Sequence, residues 1–218
     1  MFAGPDALRS GTVLADRYEI LSPLGQGGMG TVYRAKDRRL GREVAIKVLG
    51  MLHRDSPEAM ERFVREARAM ARCRHPNLVQ VFEVQAEGPA PAPWFVMEYY
   101  DSKPLSHVLR KQGPVAPAVA VRFVRSVCAA LAEMHRQGMI HRDIKPGNIL
   151  VTRDHRAILM DFGLVKAADE KSLTIEGMIL GTPQYMSPEQ AQGKRVGFPS
   201  DVYSLAVVLY EMMTGISP

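Results

Sequence analysis

Apolar and polar residues change rhythm partway along this chain. From Tyr18 onward, short apolar runs bounded by turn formers predict strands over 18–23, 31–37 and 43–49, with turns at 25–30 and 38–42. A helix is predicted over 57–72. Ser56 stands at its cap, Pro57 at the first position and Glu58 in the first turn, while Phe63, Ala67 and Met70 form an apolar stripe. Strands over 78–85 and 94–99 follow, separated by a Pro-rich surface turn at 88–93. The second half reads as mainly helical. Residues 118–137 carry Val121, Val124, Cys128, Leu131 and His135 at helical spacing and stop at Gly138. Short strands are expected over 149–151 and 157–160, then a long loop over 161–189 and an apolar helix over 201–214. Residues 1–16 have little pattern and read as a leader.

Composition narrows the class. With 218 residues, 46% of them hydrophobic and 23% charged, the chain can bury a sizeable core and is not of disordered type. The net charge of +5 permits a nucleic-acid partner, but Arg62, Arg65, Arg68, Arg72 and Arg74 are scattered along one predicted helix. Such scatter describes a solvated face better than a phosphate-docking surface, so no nucleic-acid partner is expected. The two cysteines, Cys73 and Cys128, fall in helical patterns and read as buried free thiols in a reducing compartment. The apolar run over 202–213 is too short to span a bilayer and holds Tyr203, Ser204 and Glu211. It reads as a buried helix, and the chain as a soluble, cytoplasmic one.

Three groups of residues carry chemistry. Gly25, Gly27 and Gly30 lie between strands, where backbone N–H groups can approach phosphate oxygens without Cβ clashes. A tight hairpin also needs glycine, and a strand rather than a helix follows, which argues against a dinucleotide fold. Lys47 sits inside the apolar run Val44-Ala45-Ile46-Lys47 and demands an anion, because a buried ammonium is costly unless paired. Phe63, Glu66 and Met70 fall at i, i+3 and i+7, so Glu66 shares the apolar face of its helix. Finally, Asp143, Asn148 and Asp161 stand at fixed offsets beside short strands, able to supply a hydroxyl-orienting base and hard oxygen ligands for Mg²⁺.

At His141-Arg142-Asp143-Ile144-Lys145-Pro146-Gly147-Asn148 and Asp161-Phe162-Gly163 the chain resembles the eukaryotic-type, or Hanks-type, Ser/Thr protein kinases of bacteria. The resemblance runs from Tyr18 to Pro218. It implies an α+β, bilobal protein kinase fold: a leader at 1–16, a small β-rich N-lobe with one main helix at 17–97, a hinge at 98–103 and a mainly helical C-lobe at 104–218. Family members continue with further C-lobe helices, so the lobe is expected to lack its last helices and to leave Glu189 without its usual arginine. An unpaired buried Glu189 would cost a few kcal/mol, on the order of 3–5.

The resemblance also implies roles. ATP and Mg²⁺, with Mn²⁺ as a substitute, would be the cofactors. Leu24, Gly25, Gly27, Gly30, Val32, Ala45, Lys47, Met97, Glu98, Tyr100 and Leu150 would surround the nucleotide, with Met97 as gatekeeper and the backbone near Glu98 and Tyr100 on the adenine edge. Lys47 and Glu66 would form the ion pair of the active state. Asp143 would accept the substrate hydroxyl proton, Lys145 would neutralise the transferred phosphoryl group, and Asn148 and Asp161 would hold the metal. His141 is better read as structural than as a base, packed under Phe162 in a stack with Val81 and Met70 that is anchored on Asp201. The segment Gly181-Thr182-Pro183 through Ser187-Pro188-Glu189 resembles the one that receives the substrate hydroxyl, with Ser in place of the usual Ala. Arg142 points to control by phosphorylation of Thr174, or of Ser172, with Glu176 as a partial mimic. The expected partners are protein Ser/Thr substrates and a second copy for autophosphorylation. A membrane anchor could belong only to a longer parent. Two other classes stay open: a non-catalytic nucleotide-binding or scaffold fragment, and a small-molecule phosphotransferase, which Lys145 and the 182–189 segment disfavour.

Overall fold

The computed structural model describes residues 8–27, 30–50, 53, 56–88, 93–161 and 183–218. Phe162, Gly163, Ser172, Thr174, Glu176, Gly181 and Thr182 lie outside them. The chain divides into two compact units: the residues up to Arg72 together with Gln80–Tyr100, and Cys73–Val79 together with Asp101–Pro218.

The first unit is built on a six-stranded antiparallel sheet of β1 (Val13–Leu14), β2 (Tyr18–Gly27), β3 (Gly30–Asp37), β4 (Arg42–Leu49), β5 (Val81–Gln85) and β6 (Trp94–Glu98). Its order is β1-β2-β3-β4-β6-β5. The period-2 rule puts Val44, Ile46 and Val48 on one face of β4, where they join Tyr18, Ile20, Tyr33, Ala35 and Trp94 in a core. The same rule turns Ala45, Lys47 and Leu49 to the other face. The β2 to β3 ladder runs out to Gly27 opposite Gly30, so strand pairing persists through most of the stretch expected to be a turn. At Gly30 the reason for glycine is local: a Cβ there would sit 2.0 Å from the Val48 carbonyl oxygen. Arg17 joins the near ends of β2 and β3, donating to Asp37 at 3.0 and 2.7 Å and to Glu83 at 3.2 Å.

Helix α1 (Pro57–Arg72) begins as expected, with the Ala59 N–H donating to Ser56 Oγ at 3.2 Å. It buries Ala59, Phe63, Val64, Glu66, Ala67 and Met70. Phe63 packs on Phe95 of β6, ring centroids 5.1 Å apart.

The second unit carries a three-stranded antiparallel sheet of β7 (Ser102–Pro104), β8 (Ile149–Thr152) and β9 (Ala157–Leu159). Six further pieces among the described residues are helical: α2 (Leu105–Gln112), α3 (Pro117–Arg136), 3₁₀ turns at Pro146–Asn148 and Pro183–Tyr185, α4 (Pro188–Ala191) and α5 (Phe198–Thr214). The strand expected over 78–85 begins only at Val81. Leu78 instead bridges Leu159, and Asn77 Nδ2 donates to the Ala157 carbonyl at 2.8 Å, tying Cys73–Val79 to the second unit. The inward stripe of α3 is shifted from the expected one. Ala120, Phe123, Val127, Ala130, Leu131 and Met134 are buried, whereas Val121 and Cys128 face out. Both stripes satisfy a 3.6-residue period, and the one carrying Phe123 and Met134 offers more apolar area. Cys128 is therefore exposed, a correction to the expected buried thiol; Cys73 is buried. Among the described residues no helix is long and apolar enough to cross a membrane.

Candidate active site

Strand β4 delivers Lys47 to the α1 side of the first unit, and its neighbours follow from the ladder. Val32 stands opposite on β3 and Phe95 on β6. The ammonium lies 3.6 Å from Glu66 Oε1, with the side chains only 12% and 5% exposed. Lys47 and Glu66, 19 positions apart in sequence, are thus brought together by helix phase and strand phase acting in concert. On the same strand Ala45 pairs with Met97, both buried. The Glu98 N–H is already donated to the Gln80 carbonyl at 2.8 Å, and Tyr100 donates its hydroxyl to Glu98 Oε2 at 2.7 Å. Leu24 is exposed, near Gly25 on the outer part of β2. Leu150 lies in the second unit, on β8 opposite Ile158.

In the second unit one buried carboxylate organises the segment after α3. Asp201, 1% exposed in the first turn of α5, accepts the His141 N–H at 2.9 Å and the Arg142 N–H at 2.8 Å. His135 Nε2 reaches the same carboxylate at 2.8 Å and stacks on Phe198. In the sequence His135 reads only as part of an apolar stripe. Its position near the end of α3, with an imidazole that can donate, was the available signal.

His141 is fully buried, and its bonding identifies the tautomer. The Met160 carbonyl, 3.1 Å from Nε2, can only accept; the Asp143 N–H, 3.3 Å from Nδ1, can only donate. The proton therefore sits on Nε2. Burial pushes the imidazole below its ordinary pKa, against the pull of Asp201 and Asp143. A buried, neutral ring with both nitrogens engaged in backbone contacts is structural.

Asp143, Lys145 and Asn148 converge. Asn148 Nδ2 donates to the Asp143 carbonyl at 2.8 Å and to its Oδ2 at 2.9 Å, while Lys145 Nζ stands 2.8 Å from Oδ2. The two donations orient the Asn148 amide, so its Oδ1 is the atom left to accept or to ligate. The Met160 N–H donates to the Asn148 carbonyl at 3.0 Å, which ties the start of the Asp161 segment to the same turn. Asp161 has φ +53, a left-handed value that Asp tolerates better than most residues.

Among the described residues no group of three His, Cys, Asp or Glu side chains is placed to hold a metal by itself. A carboxamide oxygen and a single carboxylate match Mg²⁺, which takes one or two protein oxygens and fills its octahedron with water and substrate phosphates. The residues fit that ion.

Glu189 departs from expectation. It is not an unpaired buried carboxylate: Ser200 donates its hydroxyl to Glu189 Oε1, and that bond holds the carboxyl below its ordinary range. Ser187 caps α4, accepting the Gln190 N–H at 3.4 Å while donating its own N–H to Gln190 Oε1 at 3.1 Å.

A curled sheet with one helix, joined to a mainly helical unit that presents this loop geometry, defines the protein kinase class. The family model for the protein kinase domain matches residues 18–218, and the chain belongs to that family. It is 44% identical over 209 residues to serine/threonine-protein kinase PknB of Mycolicibacterium smegmatis, covering 94% of this chain and 33% of that protein. It is 42% identical to PknA of Mycobacterium tuberculosis, covering 96% of this chain and 49% of that protein. The crystal structure of the Mycobacterium tuberculosis PknI kinase domain superposes with TM-score 0.76 at 29% identity, over 97% of this chain and 79% of that one. The chain thus spans about a third to a half of the length of these curated relatives.

Proposed function

We propose that this chain is the catalytic part of a serine/threonine protein kinase that transfers the γ-phosphoryl group of ATP to protein hydroxyls. The observation that carries the reading is the Asp143 carboxylate, oriented through one oxygen by Asn148 and Lys145. A carboxylate so held can orient a substrate hydroxyl and accept its proton as the new P–O bond forms. Lys145, shared between Asp143 and the incoming phosphoryl group, offsets negative charge that would otherwise repel the nucleophile. Lys47, oriented by Glu66, is positioned to pair with α- and β-phosphate oxygens. Glu98 has spent its N–H on Gln80, so its carbonyl is the group it can offer an adenine amino group. Asn148 Oδ1 and the Asp161 carboxylate would hold Mg²⁺, whose contribution is neutralising charge on the β- and γ-phosphate oxygens.

Loop control follows from Arg142. Its Nε is buried with no hydrogen-bond partner among the described residues, an arrangement suited to a phosphate on Thr174 or Ser172. Autophosphorylation between two copies would supply it.

Phosphate incorporation from Mg²⁺·ATP, followed by intact-mass and peptide spectrometry, tests the reading. Asp143→Asn should lower the rate by about 10²–10⁴-fold, the usual share of a general base. Transfer that persists in this variant, or none in a folded parent, would sink the proposal.

A further inference from the structure

The peptide that joins Arg142 to Asp143 is held from two directions. Arg142 has φ +66, a left-handed conformation that a non-glycine residue keeps only when its surroundings enforce it. Its carbonyl accepts from Gln190 Nε2 at 2.9 Å, across 48 positions of sequence. The N–H of the same planar peptide belongs to Asp143 and donates to His141 Nδ1 at 3.3 Å. A plane pinned at both its oxygen and its hydrogen sets the direction in which the next Cα, that of Asp143, projects its carboxylate.

Gln190 does more than a cap requires. A capping box needs an acceptor at this position, and a glutamate serves equally well. Gln190 uses Oε1 for that purpose, on the Ser187 N–H, and has its amide N–H left for Arg142. The segment that carries it is itself seated on α5. The Tyr185 carbonyl accepts from Ser204 at 2.7 Å, the Tyr185 hydroxyl donates to Glu211 at 2.6 Å, and Glu189 accepts from Ser200.

Resting on the kinase reading above, we propose that Gln190 is a positioning residue for phosphoryl transfer. Its amide couples the seated α4 segment to the strained Arg142 peptide and thereby sets the direction of Asp143. A segment that lifts off α5 takes the clamp with it, so the base is aligned when the substrate-receiving segment is in place.

Gln190→Glu and Gln190→Met in the full chain separate this role from capping. Glutamate keeps the cap acceptor and loses the donor; methionine keeps the shape and loses both. Steady-state kinetics with a peptide substrate and residue-level amide exchange are read on all three proteins. The expected result is a fall in kcat of at least tenfold in both variants, with KM for ATP within about twofold. Exchange at the Asp143 amide should rise in both, with the melting temperature of Gln190→Glu close to the parent's. Parent-like kcat and Asp143 exchange in Gln190→Glu would reduce Gln190 to a cap and overturn the proposal. So would faster exchange confined to 187–191. If the parent itself transfers no phosphate, the kinase reading fails, and the exchange measurement still decides whether the clamp exists.

Discussion

At the scale of single residues, two buried groups decide what the neighbouring chemistry can be. His141 is neutral because burial disfavours its charge. Its folded pKa lies below the ordinary 6.5, so the unfolded chain takes up a proton first as pH falls. Stability from this group is complete above that pH and declines below it. The His141 ring resonances should therefore stay at their neutral positions between pH 7.5 and 6; a shift tracking a pKa near 6.5 would refute the assignment. Glu66 presents the complementary case of a buried charge kept for a partner. Glu66→Ala removes the carboxylate from a side chain pair only 12% and 5% exposed. The expected cost is about 3–5 kcal/mol, seen as a lower urea midpoint at unchanged slope. Lys47 and Glu66 were legible because a lysine in an apolar strand demands an anion and helix phase indicates where one stands. Gln190 was not: a polar residue one place beyond a familiar motif looks like any solvated helix residue until a backbone carbonyl 48 positions away is found against it.

Elements follow local rules until two phases compete. Helix α1 was readable to the residue, since Ser56, Pro57 and an unambiguous Phe63 stripe agree. In α3 two stripes one residue apart fit the same period, and packing chose the other one. This has a chemical consequence. Cys128 should react with Ellman's reagent in the native protein, whereas Cys73, buried and pushed up to about 11 by desolvation, should react only after unfolding. Two fast thiols would contradict the observed phase. The link between β2 and β3 yields a pH prediction. The Arg17 guanidinium holds Asp37 down to about 2 from an ordinary 3.8. A depressed carboxyl stabilises the fold above its unfolded pKa and loses that contribution as pH falls from about 4 toward 2. The stability gap between the parent and Asp37→Asn should accordingly close over that interval, and a constant gap would show that the pair does not titrate as described. Helix α2 escaped sequence reading altogether, because eight residues give a periodic pattern too little length.

For the whole molecule, nucleotide should act as a stabiliser. Any ligand bound by the native state alone adds RT ln(1 + [L]/Kd), about 2.7 kcal/mol at a hundredfold excess over Kd. Mg²⁺·ATP should raise the melting temperature by several degrees, and Asp161→Asn or chelation of the metal should remove most of that rise. No shift in the parent would count against nucleotide binding. Exposed apolar positions on α5, Val202, Tyr203 and Met213 among them, leave one face of that helix in contact with water. The sequence by itself determined the order and type of most elements, the lysine, carboxylates and carboxamide able to handle phosphate, and membership of the kinase class. The elements are carried by local periodicity and the candidate side chains by their own chemistry, both of which act within a few residues, while the class rests on the resemblance of the motifs that hold them. Tertiary structure alone decided the buried phase of α3, the pairing of Glu189 with Ser200, the convergence of His135, His141 and Arg142 on Asp201, and the clamp from Gln190. Each depends on which side chain lies beside a backbone group far away in sequence, and a local pattern holds no information about that distance until the chain is packed.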